Sequence, residues 1–194
     1  MSSRRPFRVL AAIVGGALGC APVYSETAAP GPRPVAAAVA PSTDDPAAGA
    51  LLRALESLVW PLATDSSGIL GSAYGDRLHP RGGDPGFHAG LDLRARAGTP
   101  VYAAAAGVVT RSEPSGAYGN VVIVDHGGGL GTLYAHHREN LVRAGDRVRR
   151  GQPIGLVGRT GNATGDHLHF EVRWKDGTVD PRTVLPLLEG RAAR

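Results

Sequence analysis

Four of the seven histidines in this 194-residue chain lie in motifs whose other members are metal-ligand or acid–base residue types. The densest motif is Gly165-Asp166-His167-Leu168-His169-Phe170-Glu171. Residues two apart on a β-strand project from one face, so a His-x-His pair there aims two imidazoles at the same point. His88-Ala89-Gly90-Leu91-Asp92 adds a third imidazole and a carboxylate four positions later. That spacing shares a face on a helix and on a regular strand, and Gly90 favours strand or turn. Tyr134-Ala135-His136 supplies a fourth histidine. Imidazoles with one carboxylate form a zinc-type donor set, and the chemistry they point to is that of a catalytic metal site. Each motif taken singly also fits a solvated strand face, and spacing alone leaves open which of His167 and His169 would ligate.

These side chains need a rigid frame, and the surrounding sequence predicts one made of strands. From Gly68 onward, short β-branched runs are punctuated by glycine, as in Gly107-Val108-Val109-Thr110, Gly119-Asn120-Val121-Val122-Ile123-Val124-Asp125 and Gly131-Thr132-Leu133-Tyr134-Ala135-His136. Alternation with turn dipeptides predicts a mostly β, antiparallel domain over residues 68–190. Asn120, Val122 and Val124 should face one side, and Val121 and Ile123 the other. Gly127-Gly128-Gly129 reads as a hairpin turn. It is not a phosphate loop, because neither a helix pattern nor Lys-Ser/Thr follows it. Before this domain, Leu51, Leu55, Leu58 and Val59 recur at helical spacing until Pro61, which predicts a short helix and linker over 48–67. Residues 21–47 are rich in Ala, Pro, Ser and Thr, a composition that buries too little to fold and reads as a disordered tether.

Residues 1–20 have the layout of a secretory signal. Arg4, Arg5 and Arg8 precede an apolar stretch from Val9 to Leu18 that is too short to span a membrane. The stretch ends in Ala17-Leu18-Gly19-Cys20, which resembles a bacterial lipobox with Cys20 as the lipidated residue, although leucine is the usual residue at position 17. Ser3-Arg4-Arg5-Pro6-Phe7 also resembles a twin-arginine export motif. The expectation is an exported protein held to a membrane by a lipid on Cys20. In a two-membrane cell it would face the periplasm from the outer membrane, since Ala21 stands where inner-membrane retention favours aspartate. Cys20 is the only cysteine, so the chain has no intrachain disulfide and no cysteine-rich zinc site. The net charge of +4 is modest and no Lys/Arg run is interleaved with aromatics, which argues against a nucleic-acid partner.

Taken together, the motifs resemble the lysostaphin/LytM-type zinc endopeptidases that cut peptide bonds in bacterial cell walls. The likeness covers about residues 71–187. It runs through Tyr74-Gly75-Asp76-Arg77-Leu78-His79-Pro80, Phe87-His88-Ala89-Gly90-Leu91-Asp92-Leu93, Gly98-Thr99-Pro100-Val101-Tyr102-Ala103-Ala104, Leu133-Tyr134-Ala135-His136 and the His-x-His motif. The resemblance implies a barrel-sandwich-like β fold and one Zn2+ ion held by His88, Asp92 and His169. It implies His136 and His167 as catalytic histidines and peptidoglycan as the substrate of a monomeric enzyme. Tyr74 and Arg77 are candidates for substrate contact.

Other histidines take structural readings. His137 follows His136 and on a regular strand would point away from the site to the surface. His126 should sit in a turn at a strand end, and His79 beside Pro80 should be structural. The competing functional class is a non-catalytic activator of other wall hydrolases or a peptidoglycan-binding module, as some relatives have lost metal ligands; here all five site residues are present. A biotinyl- or lipoyl-type carrier is rejected, because the sole lysine, Lys175, lies after the His-x-His strand and not on a carrier hairpin.

Overall fold

The computed structural model describes residues 33–34, 54–55, 57–63, 70–78 and 85–185. The expected export signal with Cys20, most of the expected tether, the start of the expected helix and His79 lie outside the described residues. In chain order the strands are β1 (Arg33–Pro34), β2 (Gly75–Leu78), β3 (Pro85–His88), β4 (Leu91–Arg94), β5 (Pro100–Tyr102), β6 (Gly107–Pro114), β7 (Asn120–Gly127), β8 (Leu130–His137), β9 (Glu139–Asn140), β10 (Arg147–Val148), β11 (Pro153–Leu156), β12 (His167–Trp174) and β13 (Gly177–Val179). One short helix, α1 (Pro181–Val184), follows, with Pro181 in its first turn and the Asp180 carboxylate accepting from the Arg182 N–H.

The main sheet runs β1-β13-β12-β8-β7-β6-β10, with β4 also paired to β12. Every pairing in it is antiparallel except β1 with β13. Two smaller sheets, β5-β11-β9 and β2-β3, complete the frame. The mostly β, antiparallel architecture is the one the alternating runs predict. β1 falls inside the segment read as a tether, and its proline stands at the sheet edge, where a missing N–H leaves no central ladder bond unmade. Ahead of the domain, Ala54 and Leu55 are helical and Leu58 and Leu62 are buried in the core.

Alternation divides each central strand between two faces. On β12, Leu168, Phe170 and Val172 enter the main core with Leu91, Leu93, Tyr134, Val122 and Val124. His167, His169, Glu171 and Arg173 therefore share the opposite face. On β7, Val122 and Val124 join the main core while Val121 belongs to a second, small cluster with Leu133 and Ala135, with Ile123 packed against it, as the strand pattern predicts. The β7–β8 turn carries left-handed glycines at Gly128 (φ 62°) and Gly129 (φ 89°), the backbone that a tight hairpin requires.

Candidate active site

Strand register assembles the site. β12 pairs with β4 so that His169 stands directly opposite Asp92, and with β8 so that His169 also stands opposite Ala135, next to His136. Directly opposed side chains on one face are near neighbours, so Asp92 and His169 meet without help from any loop. His88 ends β3, and the turn through Ala89 and Gly90 returns the chain into β4. Gly90 is required there: a Cβ would lie 2.5 Å from the Phe170 carbonyl oxygen and 2.9 Å from both His169 Cε1 and Glu171 Cγ. The glycine lets the His88–Asp92 turn close over β12.

Three potential ligand atoms converge. His88 Nε2 lies 3.0 Å from His169 Nδ1 and 3.1 Å from Asp92 Oδ1, and His169 Nδ1 lies 2.9 Å from the same oxygen. Among the described residues these three form the one cluster with metal-ligand character. The outer nitrogens define the inner ones. His88 Nδ1 donates to the Ala73 carbonyl at 2.7 Å, and His169 Nε2 donates to the Glu171 carboxylate at 3.0 Å. In the neutral rings the facing nitrogens are then lone-pair acceptors, so two nitrogens and a carboxylate oxygen crowd together with no proton to share. A cation between them resolves the conflict. The separations are close to the roughly 3.3 Å expected around a tetrahedral zinc with 2.0–2.1 Å bonds, so the residues fit that ion.

Protonation of the facing nitrogens is the other way to relieve the same crowding. Burial alone would raise the Asp92 carboxyl, but hydrogen bonds from His169 and His88, together with their charge, hold it well below the usual carboxylate range. Burial opposes a charge on His169, yet its hydrogen bonds to Asp92 and Glu171 and their negative charge push its pKa up.

Two further histidines face this cluster. The His136 and His167 ring centroids are 4.7 Å apart, and His136 is 5.9 Å from His169. His136 Nδ1 donates to the Thr160 carbonyl at 2.8 Å and His167 Nδ1 to the Gly165 carbonyl at 2.9 Å. Each ring thereby turns its Nε2 away from the carbonyl, and His167 Nε2 lies 3.7 Å from Asp92 Oδ1. Burial lowers the His136 pKa to about 4, only partly offset by the Thr160 carbonyl, so this ring is neutral at pH 7. The loop after β11 supplies both carbonyls, and it packs on the turn before β7 through glycines. A Cβ on Gly161 would lie 2.3 Å from Gly119 N, and one on Gly119 2.3 Å from Thr160 Oγ1.

The sequence-predicted residues His88, Asp92, His136, His167 and His169 all line one groove, with Arg77, Phe87 and Tyr118 at its walls. Arg77 hydrogen-bonds Ser72 and lies 3.8 Å from Asp92 Oδ2. Tyr74 does not line the groove. Its hydroxyl donates to the Thr178 carbonyl at 2.9 Å and its ring meets Phe87 edge-on, so its contacts brace the β2–β3 hairpin.

The surface expectation for His137 is wrong. The residue is fully buried, with Nδ1 bonded to Asn140 Oδ1 at 2.8 Å and Nε2 without a partner. The alternation argument fails because His136 adopts φ 62° and the β7–β8 register shifts beside it, so the two histidines do not sit on a regular strand. His126 belongs to β7 and bridges the Ala106 carbonyl and the Thr132 hydroxyl, each at 2.8 Å. Sequence reasoning left Glu171, Tyr118 and Thr160 without roles. The period-2 face that selected His167 and His169 also contains Glu171 and was sufficient to find it; Thr160 carries no comparable signal, because its carbonyl is what matters.

An antiparallel β frame presenting a His/Asp/His triangle beside two further histidines defines a metallopeptidase-type domain. Residues 86–181 match peptidase family M23, and the chain belongs to that family. It is 44% identical over 121 residues to the DD-carboxypeptidase/endopeptidase Mpg of Neisseria meningitidis, covering 62% of this chain and 28% of that protein. The chain thus spans little more than a quarter of that relative's length. The fold matches a zinc-containing peptidase from Vibrio cholerae at 35% identity and TM-score 0.58, over 64% of this chain and 39% of the other. It also matches the catalytic domain of lysostaphin from Staphylococcus simulans at 32% identity and TM-score 0.55, over 59% of this chain and 89% of the other.

Proposed function

We propose that this chain is an exported zinc endopeptidase that hydrolyses peptide bonds in peptidoglycan cross-links or stem peptides. The observation that carries the reading is the convergence of three facing acceptors, His88 Nε2, Asp92 Oδ1 and His169 Nδ1, beside two histidines whose Nδ1 protons are held by carbonyls. When held by His88, Asp92 and His169, Zn2+ supplies Lewis-acid polarisation of a carbonyl and activation of water.

The residues do the proton work. His136 or His167 accepts the proton of the attacking water at Nε2 and returns it to the leaving amine. The Thr160 and Gly165 carbonyls stabilise the imidazolium that forms, because each already accepts from Nδ1. In its protonated form, the second histidine stabilises the oxyanion of the tetrahedral intermediate. Asp92 neutralises one of the two charges on the ion. Arg77 and Phe87 contact the substrate from the groove wall.

A wall peptide as substrate is supported by relatives named as a DD-carboxypeptidase/endopeptidase and as peptidoglycan DD-endopeptidases. In this reading the chain runs from a leader at 1–20 through a tether at 21–47 and a helix and linker at 48–67 to the folded domain at 68–190, a layout that suits export with a lipid on Cys20 as the anchor. Purified peptidoglycan incubated with the zinc-loaded chain, with released fragments identified by mass spectrometry, tests the reading. His88→Ala and Asp92→Ala should lose zinc and activity together. His136→Ala should keep zinc while losing about 10²–10⁴-fold in turnover. A chain that releases nothing after zinc loading refutes the proposal.

A further inference from the structure

We infer that Glu171 is a positioning residue whose buried carboxylate holds His169 as an Nδ1 ligand, and that Tyr118 and Arg173 hold Glu171 in turn. The inference rests on the zinc reading above. Glu171 is wholly excluded from solvent. Its Oε1 accepts from His169 Nε2 at 3.0 Å and from the Tyr118 hydroxyl at 2.6 Å, while Oε2 accepts from Arg173 Nε at 2.8 Å. A buried carboxylate is expensive unless its charge is matched and its lone pairs are filled, and here one guanidinium and three donors meet both demands.

The consequence for His169 is geometric. An imidazole can present either nitrogen to a metal, and the nitrogen that donates elsewhere fixes which. With Nε2–H held by Glu171, Nδ1 is left to face Asp92 and His88. Histidine ligands braced in this way by a carboxylate bind metal more tightly. Strand periodicity builds the brace: His169, Glu171 and Arg173 alternate with Phe170 and Val172, which anchor the strand in the core. Tyr118 closes the chain from the turn before β7, its ring 5.6 Å from the His169 ring. A glutamine at 171 cannot replace the carboxylate. Its single acceptor oxygen serves either His169 and Tyr118 or Arg173, and its amide then opposes a donor on the other side.

The test measures zinc affinity of the full chain by competition with a chromophoric chelator. Glu171→Gln and Glu171→Asp should each weaken zinc by about 10–100-fold, the range seen when such partners are removed. Glu171→Asp separates positioning from charge, because it keeps the charge but withdraws the carboxylate from Nε2. Tyr118→Phe should weaken zinc by a smaller factor, and it keeps the question answerable if the Glu171 variants fail to fold. In the zinc-free chain, ring ¹⁵N NMR at a pH where His169 is neutral should place the proton on Nε2 in the parent and distribute it over both nitrogens in Glu171→Gln. A parent that binds no zinc refutes the proposed function and leaves the NMR result to judge Glu171. Variants that fold and bind zinc within about twofold of the parent, or an unchanged tautomer in Glu171→Gln, overturn the inference.

Discussion

His137 should make the domain acid-sensitive, and the effect can be sized from its surroundings. Its ring is fully buried, packed against Gly155 so closely that a Cβ there would lie 2.5 Å from Cε1, and its Nε2 has no partner. A proton on Nε2 would be a buried, unpaired charge. Burial accordingly lowers the pKa from 6.5 to about 4, although the bond to Asn140 works the other way. The folded state binds the fewer protons in this window, so this contribution to stability is complete above pH 6.5 and is lost as pH falls towards 4. At about 1.4 kcal/mol per pH unit the loss reaches about 3 kcal/mol, a large share of a typical 5–15 kcal/mol of total stability. His137→Gln keeps a donor for Asn140 Oδ1 and removes the titration. Urea unfolding of parent and variant should be compared at pH 7 and pH 4, with chelator present throughout so that the metal state is the same. His126 and His136, whose pKa values burial also lowers, act equally in both proteins and cancel. The parent should lose about 3 kcal/mol more than the variant across that range, and parallel pH dependences would refute the argument.

Gly90→Ala should lower both melting temperature and zinc affinity, because its Cβ would displace His169 and Glu171 at once; overpacking of this kind commonly costs about 1–3 kcal/mol, read by thermal unfolding and chelator competition. Tyr134→Phe should destabilise by about 1–3 kcal/mol with zinc binding intact, since the buried Tyr134 hydroxyl accepts from the Ala104 N–H at 2.8 Å and its removal orphans that donor. Denaturant titration with a parallel zinc assay checks this outcome. Chelation should lower the melting temperature of the parent, because zinc at about 1,000 times its dissociation constant adds about 4 kcal/mol to the folded state. The same treatment should leave the melting temperature of His88→Ala nearly unchanged.

Much of the site was legible because it is written in local periodicity. His167 and His169 share a face on any regular strand, and the alternation that exposes them buries Leu168 and Phe170. The same rule holds for Val121 and Val122, which separate into two clusters as predicted. It fails at His137, where one left-handed residue and a register shift redirect two side chains, a change that the identity of neither residue announces. The partner of Tyr74 is hidden from the sequence for a related reason: it is Thr178, 104 residues away.

The sequence by itself determined the residue types of the donor set, the β class of the frame and the strand faces on which the histidines stand, because strand alternation needs only nearest neighbours. The tertiary structure alone decided which nitrogen of each histidine faces inward. Those choices depend on the Ala73, Thr160 and Gly165 carbonyls and on the Glu171 carboxylate. Three of those four acceptors are backbone oxygens or lie in distant segments. Backbone carbonyls are chemically identical at every position, so only the folded path of the chain can make one of them the partner of a particular imidazole.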